Sequence, residues 1–202
     1  MAPRASLIGL WTALAFGSLV AVAADDNEEK ALAAVLSWGG EFARADKKPN
    51  GPVVEVSLAN AKVTDAGLKE LTHLKQLRAL QLSGARITDL GLKELALLKH
   101  LEILKLDKTL VTDSGLKEVA KMRQLLALVL SGTKVTDAGL KDLASLKQLE
   151  ALLLNATAVS DAGLKDLAKL KQLKALELRN TRVTPAGLAG LKKALPECEI
   201  FP

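Results

Sequence analysis

The residues of this chain that could do chemistry are two histidines, one cysteine and a recurring aspartate. An imidazole acts as a general base or a metal ligand only beside suitable partners. His73, predicted on a helix, and His100, just before a strand, have neither an H-E-x-x-H motif nor a cysteine at matched spacing. We therefore interpret both as surface polar residues. Cys198 stands alone, which excludes an internal disulfide, and we interpret it as a buried packing thiol.

The aspartates recur every 24 residues within a V-T-D-x-G-L segment, whose sixth copy carries Pro185 instead. Proline is favoured at the first position of a helix, so Thr184 is the predicted N-cap. By register the same role falls to Thr64, Thr88, Thr112, Thr136 and Ser160. The aspartates then lie in the first turn, where the positive helix end favours a carboxylate. We interpret them as structural, not catalytic: Asp65, Asp89, Asp113, Asp137 and Asp161.

The glycine of each segment belongs to no phosphate-binding loop, because neither G-x-G-x-x-G nor a Walker sequence surrounds it. We expect these glycines to allow close packing near each helix start. Without a nucleophile and base, a metal cluster or a phosphate cradle, the sequence predicts no enzyme, no cofactor and no metal site. The glycines are Gly67, Gly91, Gly115, Gly139, Gly163 and Gly187.

The apolar spacing within each unit changes period, which predicts the secondary structure. Residues 77–82 form an L-x-x-L-x-L pattern whose last two leucines alternate as on a short strand. The leucines of residues 140–146 are spaced by three, as on one helical face. Each unit is therefore predicted as strand, loop and short helix. Parallel strands stack about 4.8 Å apart and helices roughly 8–10 Å apart, so the array must curve with its strands on the concave side.

These residues and their spacing resemble the leucine-rich repeat family, in its 24-residue form L-x-x-L-x-L-x-x-T-x-V-T-D-x-G-L. This form is common in exported bacterial proteins and is similar to the cysteine-containing repeats. The resemblance covers Val53 to Pro202 and implies an α/β solenoid, or horseshoe, that binds a protein or peptide partner. The chain departs from the family at the ninth position, where Ala61 and Ala85 precede four threonines. Because alanine cannot satisfy loop backbone groups, we expect the N-terminal loops to be less tightly held.

The sequence predicts four segments: a signal peptide at 1–23, a capping helix and loop at 24–52, six repeats at 53–196 and a cap strand at 197–202. Arg4, an apolar stretch and Ala21-Val22-Ala23 follow the order of a cleavable secretory signal, which implies a secreted or periplasmic protein. An uncleaved anchor is the alternative, because the stretch approaches spanning length. No later segment is apolar enough to be a transmembrane segment.

The strand residues that flank each central leucine are predicted to line the concave face. Ile103, Val129 and Leu153 lie together in the middle of the array. An apolar centre within a polar rim is typical of a protein-binding patch, although ordinary strand preferences favour the same residues. The predicted rim comprises Gln81, Lys105, Asp107, Asn155, Glu177 and Arg179.

Lysines also recur, in a column from Lys69 to Lys165 beside acidic residues and in a second column from Lys75 to Lys171. Mixed charges on a convex face are typical of an ordinary solvated surface. The alternative is a structural or envelope-associated protein that binds an anionic envelope polymer through these basic columns. A low aromatic content of 2% argues against nucleic-acid binding.

Overall fold

Eight short strands form one continuous sheet, and each strand pairs with the next one along the chain. The computed structural model describes residues 26–48 and 51–202, so the predicted signal peptide lies outside the described residues. Neighbouring strands are parallel except for the first pair. The strands are β1 (Glu41–Arg44), β2 (Val53–Ser57), β3 (Ala79–Gln81), β4 (Ile103–Lys105), β5 (Ala127–Val129), β6 (Ala151–Leu153), β7 (Ala175–Glu177) and β8 (Glu199–Phe201).

One helix precedes the sheet, and a short helix follows each strand from β2 to β7. This open alternation confirms the predicted α/β solenoid, in which the sheet forms one face and the helices the other. The helices are α1 (Asp26–Ser37), α2 (Leu68–Leu71), α3 (Leu92–Leu95), α4 (Asp113–Val119), α5 (Asp137–Leu143), α6 (Asp161–Leu167) and α7 (Pro185–Ala194).

The strand register follows from leucine burial. Leu80 pairs with Leu104, and the same step of 24 residues continues to Leu176. These central leucines are fully buried, and the helix leucines from α2 to α6 are buried in the same core. A slip of one residue would turn every leucine of a strand towards solvent, so the register is strongly specified.

Five aspartates link each repeat to the next through paired hydrogen bonds, which we call the aspartate ladder. Asp113 accepts from the Thr136 backbone N–H at 2.8 Å and from the Thr136 hydroxyl at 2.7 Å. The same two bonds recur from Asp65, Asp89, Asp137 and Asp161 to the residue 23 positions later. The predicted structural role of the aspartates is confirmed. Each aspartate begins the turn or helix of its own repeat, and its side chain bonds to the next repeat.

The predicted N-caps are confirmed from the third repeat onward. Thr112, Thr136 and Ser160 each donate their hydroxyl proton to an aspartate and accept the backbone N–H two residues on, while Thr184 accepts from Gly187 N–H. Thr64 occupies the predicted N-cap position, of a short 3-10 helix (Asp65–Gly67), but it has no preceding repeat to orient its hydroxyl and makes no side-chain cap bond. Thr88 accepts only from Leu90 N–H in a turn, because α3 begins later at Leu92.

The recurring glycines provide room for the aspartate ladder. A Cβ at Gly139 would lie 2.5 Å from Asp113 Oδ1 and 2.8 Å from a Leu116 methyl carbon. Equivalent contacts occur at Gly91, Gly115, Gly163 and Gly187, which agrees with the close packing expected from the sequence. At Gly67 the neighbour is the Trp38 ring, so the N-terminal cap takes the place of a preceding repeat.

The N-terminal cap contains a strand that the sequence analysis missed. Strand β1 pairs antiparallel with β2 and includes Phe42 and Arg44, although residues 24–52 were predicted to contain only a capping helix and a loop. The Arg44 guanidinium lies 2.8 Å from Glu28 of α1 and donates to the Gly51 carbonyl at 2.7 Å. The four-residue strand has little periodicity of its own and forms because β2 offers a free edge.

Hydroxyls at the ninth repeat position stabilise the later loops. Thr109, Thr133, Thr157 and Thr181 each donate to the leucine carbonyl three residues earlier at 2.6 Å. Ala61 and Ala85 have no hydroxyl to make this bond, as expected. At the other end of the chain, burial raises the pKa of the Cys198 thiol to about 11, which agrees with its interpretation as a packing residue.

The close approach of glycine and aspartate predicts a large difference between two glycine-to-alanine substitutions. Gly139→Ala should destabilise the protein by about 1–3 kcal/mol, because the new methyl group displaces Asp113. Gly190→Ala, at an open position in α7, should be neutral or stabilise by up to about 1 kcal/mol. Urea unfolding followed by circular dichroism measures both. Equal midpoints for the two variants would contradict the packing role.

Acid should weaken the last step of the ladder. The Thr184 hydroxyl, and then the Thr184 backbone N–H, lower the pKa of Asp161. A folded-state pKa below the unfolded-state value, which is about 3.9 for aspartate, means that this stabilisation is complete above about pH 4 and disappears as the pH falls through the folded-state pKa.

We therefore expect Asp161→Asn to be less stable than the wild type at about pH 6, and this difference to shrink at about pH 3. Urea midpoints across this range test it. A difference that is independent of pH would show that the carboxylate charge contributes nothing.

Candidate functional site

Register brings the predicted site residues together on the exposed face of the sheet. Ile103 lies between Ala79 and Ala127 in one column of paired residues. A second column contains Gln81, Lys105, Val129, Leu153 and Glu177 in that order. The predicted apolar centre is therefore contiguous across β4, β5 and β6, and its side chains are only partly buried.

A cavity of about 500 Å³ opens on this face, from the loop after β2 to β6. Six of the nine predicted residues line it, namely Gln81, Ile103, Lys105, Asp107, Val129 and Leu153. Asn155, Glu177 and Arg179 lie beside it at the β7 end. Ala127 and Ala151 form part of the cavity floor, and their small side chains leave the space above them unfilled.

Hydrogen bonds between repeats hold the polar rim in place. The Ser83 hydroxyl donates to Asp107 at 2.6 Å. Asn155 donates to Glu177 through its amide nitrogen and accepts the Arg179 backbone N–H at 2.8 Å. The Arg179 guanidinium also lies 5.6 Å from the ring centroid of Phe201. The rim is thus largely arranged before any partner arrives, which lowers the ordering cost of binding.

Lys105 carries the one ammonium group of the cavity lining. Partial burial lowers its pKa, and the neighbouring Asp107 carboxylate opposes that shift. The two residues therefore form a charge-balanced pair at the edge of the apolar centre.

The sequence analysis missed a third column that contributes to the cavity wall. Arg78, Glu102, Leu126, Glu150 and Lys174 are joined by successive backbone N–H to carbonyl bonds of 2.7–2.8 Å. Glu102, Leu126 and Glu150 line the cavity. The sequence did contain a signal, because Leu126 occupies a position that is charged in the neighbouring repeats. This position lies two residues before the central leucine, whereas the prediction used only the residues that directly flank that leucine.

The histidines take no part in this site. His73 lies in a turn after α2, so its predicted place on a helix is wrong, and His100 is exposed before β4. Within residues 26–48 and 51–202, histidine, cysteine, aspartate and glutamate form no group that could hold a metal ion. In the same part of the chain no helix combines the length and the apolar character needed to cross a membrane.

The family model for a leucine-rich repeat region matches residues 53–198, which is most of the chain. The chain belongs to the leucine-rich repeat family. Proteins of this family are typically binding scaffolds without catalytic activity. No curated protein matches the chain.

Two solved structures of leucine-rich repeat proteins are similar to this chain. An internalin from Listeria monocytogenes aligns with 24% identity and a TM-score of 0.53, over 72% of this chain and 46% of that protein. A leucine-rich repeat protein from Leptospira interrogans aligns with 28% identity and a TM-score of 0.48, over 65% and 38% respectively. The chain thus spans less than half the length of either protein.

Proposed function

We propose that this leucine-rich repeat protein is an exported, non-catalytic scaffold that binds a protein or peptide partner on its concave face. The observation that supports this most strongly is the cavity, where partly buried aliphatic side chains from three neighbouring strands lie inside a hydrogen-bonded polar rim. That combination is the usual anatomy of a protein-binding surface.

The composition of this face predicts moderate affinity. Among the described residues, the cavity lining contains aliphatic side chains but no tryptophan, tyrosine or arginine. Because those residue types dominate the strongest interface contacts, a very tight complex is not expected. Preorganisation of the rim compensates in part for the missing aromatic and arginine contacts, since fewer side chains must be ordered on binding.

Replacing Val129 and Leu153 together by aspartate should lower the affinity for the partner at least about a hundredfold, because two charges would enter the apolar centre. Folding should survive, since both side chains face the open cavity. Pull-down from native extract with quantitative mass spectrometry identifies partners, and thermal unfolding checks the fold.

The matched control is Leu90→Asp/Leu97→Asp, which makes the same change at exposed leucines outside the cavity. A partner retained by the control and lost by the cavity variant supports the proposal. Partners retained equally by both variants would show that the concave face is not the binding surface.

Binding to an anionic envelope polymer is a second candidate, supported by the exposure of both lysine columns. Salt bridges from Lys121 to Glu118 and from Lys169 to Asp166 show that part of this face is internally neutralised. Exposed cations separated by more than a Debye length act weakly at physiological salt.

Retention on isolated envelope material tests this candidate. It should fall several-fold between about 50 and 300 mM salt, and further in Lys69→Gln/Lys117→Gln/Lys165→Gln. Lys30→Gln/Lys62→Gln/Lys134→Gln removes the same charge from other exposed positions and serves as the control. Retention that neither salt nor the lysine variant changes would eliminate the candidate.

A further inference from the structure

The missed column of the cavity wall has an unusual charge order. Arg78, Glu102, Leu126, Glu150 and Lys174 follow one another across five strands, with a leucine at the centre and a carboxylate on each side of it. Leu126 N–H donates to the Glu102 carbonyl and Glu150 N–H donates to the Leu126 carbonyl, both at 2.8 Å. Adjacent strands are about 4.8 Å apart, so the two glutamates begin roughly 10 Å apart with Leu126 midway.

Each glutamate has an ion-pair partner on its outer side. Glu102 lies 3.2 Å from Arg78, and Glu150 lies 2.8 Å from Lys174. The arginine and lysine side chains are 57% and 60% exposed, and such pairs contribute little to stability. On the inner side, within the column, the neighbour of both carboxylates is the apolar Leu126 side chain.

The cavity lining contains more carboxylates than ammonium groups, although the chain as a whole is basic. Its lining carries three carboxylates, from Glu102, Asp107 and Glu150, and one ammonium, from Lys105. The formal net charge of the whole chain is +5. Arg78 and Lys174, which pair with Glu102 and Glu150, are not part of the lining, so the two carboxylates border the cavity and the cations that balance them do not. Field lines concentrate in such a concave site and favour a cation there.

We infer that the cavity receives a partner segment that carries an arginine or lysine over Leu126, between Glu102 and Glu150, and an aliphatic side chain against Val129 and Leu153. This inference rests on the proposed function and specifies the chemistry of the partner. The methylene stem of the cation would pack on the Leu126 methyl groups while its head reaches the carboxylates. Arginine should be preferred, because its planar guanidinium can donate to both carboxylates at once.

The spacing of the two partner groups follows from the strand geometry. Leu126 and Val129 are three residues apart on one strand, which corresponds to about 10 Å. The partner must therefore present its cation and its aliphatic side chain about 10 Å apart on one face. A patch of cations alone or of leucines alone should bind much more weakly.

A displayed library of random peptides, selected on the immobilised full-length protein, tests this chemistry without knowledge of the natural partner. Enriched peptides should contain an arginine or lysine together with a leucine, isoleucine or valine. Synthetic fluorescent copies would then be titrated by anisotropy against variants of the protein. Replacing the peptide arginine by citrulline, which is neutral and nearly the same shape, should weaken binding at least about tenfold.

The same citrulline replacement should have little effect on binding to Glu102→Gln/Glu150→Gln, since the carboxylates that the arginine meets are gone. Glu29→Gln/Glu197→Gln removes two carboxylates at exposed positions elsewhere and should behave like the wild type. Binding that falls equally in both double variants would overturn the inference by showing a nonspecific charge effect.

The remaining outcomes separate this inference from the proposed function. Peptides that depend on Val129 and Leu153 but lack a cation, or that bind Glu102→Gln/Glu150→Gln unchanged, would overturn the inference and leave the concave-face proposal standing. Enriched peptides that bind the Val129→Asp/Leu153→Asp variant unchanged, or no enrichment at all, would count against both. A dimer in sedimentation velocity that Leu126→Asp abolishes would assign the cavity to a second copy of the chain and overturn the inference.

Discussion

Stacking of each 24-residue unit on its neighbour is the constraint from which the remaining structure follows. A single unit of strand and short helix cannot bury both of its leucine rows, whereas units with a neighbour on each side bury them almost entirely. The aspartate ladder sets this stacking on the helix side, and glycine leaves the space that the carboxylate occupies. Register, curvature and the position of every exposed strand residue depend on this repeated contact.

The repeat separates the residues that must stay constant from those that can vary. Leucines, aspartates and glycines recur because each contacts the next repeat, so a change at one of them disturbs two units. The exposed strand positions pair with their neighbours in a column, and they change from alanine to isoleucine, lysine or glutamate between repeats. A binding surface can therefore be varied on this scaffold at little cost to the fold.

Charge is distributed unequally between the two faces. Lysine columns are exposed on the helix side, while the cavity contains more carboxylates than ammonium groups. The two faces therefore favour different partners. A polyanion would bind the helix side, whereas a segment with both cationic and apolar side chains would bind the cavity. The proposed binding modes thus use different faces of one molecule.

The sequence by itself determined the solenoid, since an uninterrupted period with a switch from strand spacing to helix spacing has few structural solutions. It also determined the helix caps after the second repeat and the predicted columns of the concave face, because both follow from register alone. Tertiary structure decided what register cannot express: that β1 pairs antiparallel with β2, that Thr64 lacks the aspartate that would orient its hydroxyl, and that Glu102 and Glu150 flank Leu126 in the cavity wall. These features depend on contacts between residues far apart in the chain or on which side chains border an open space, and local spacing contains neither.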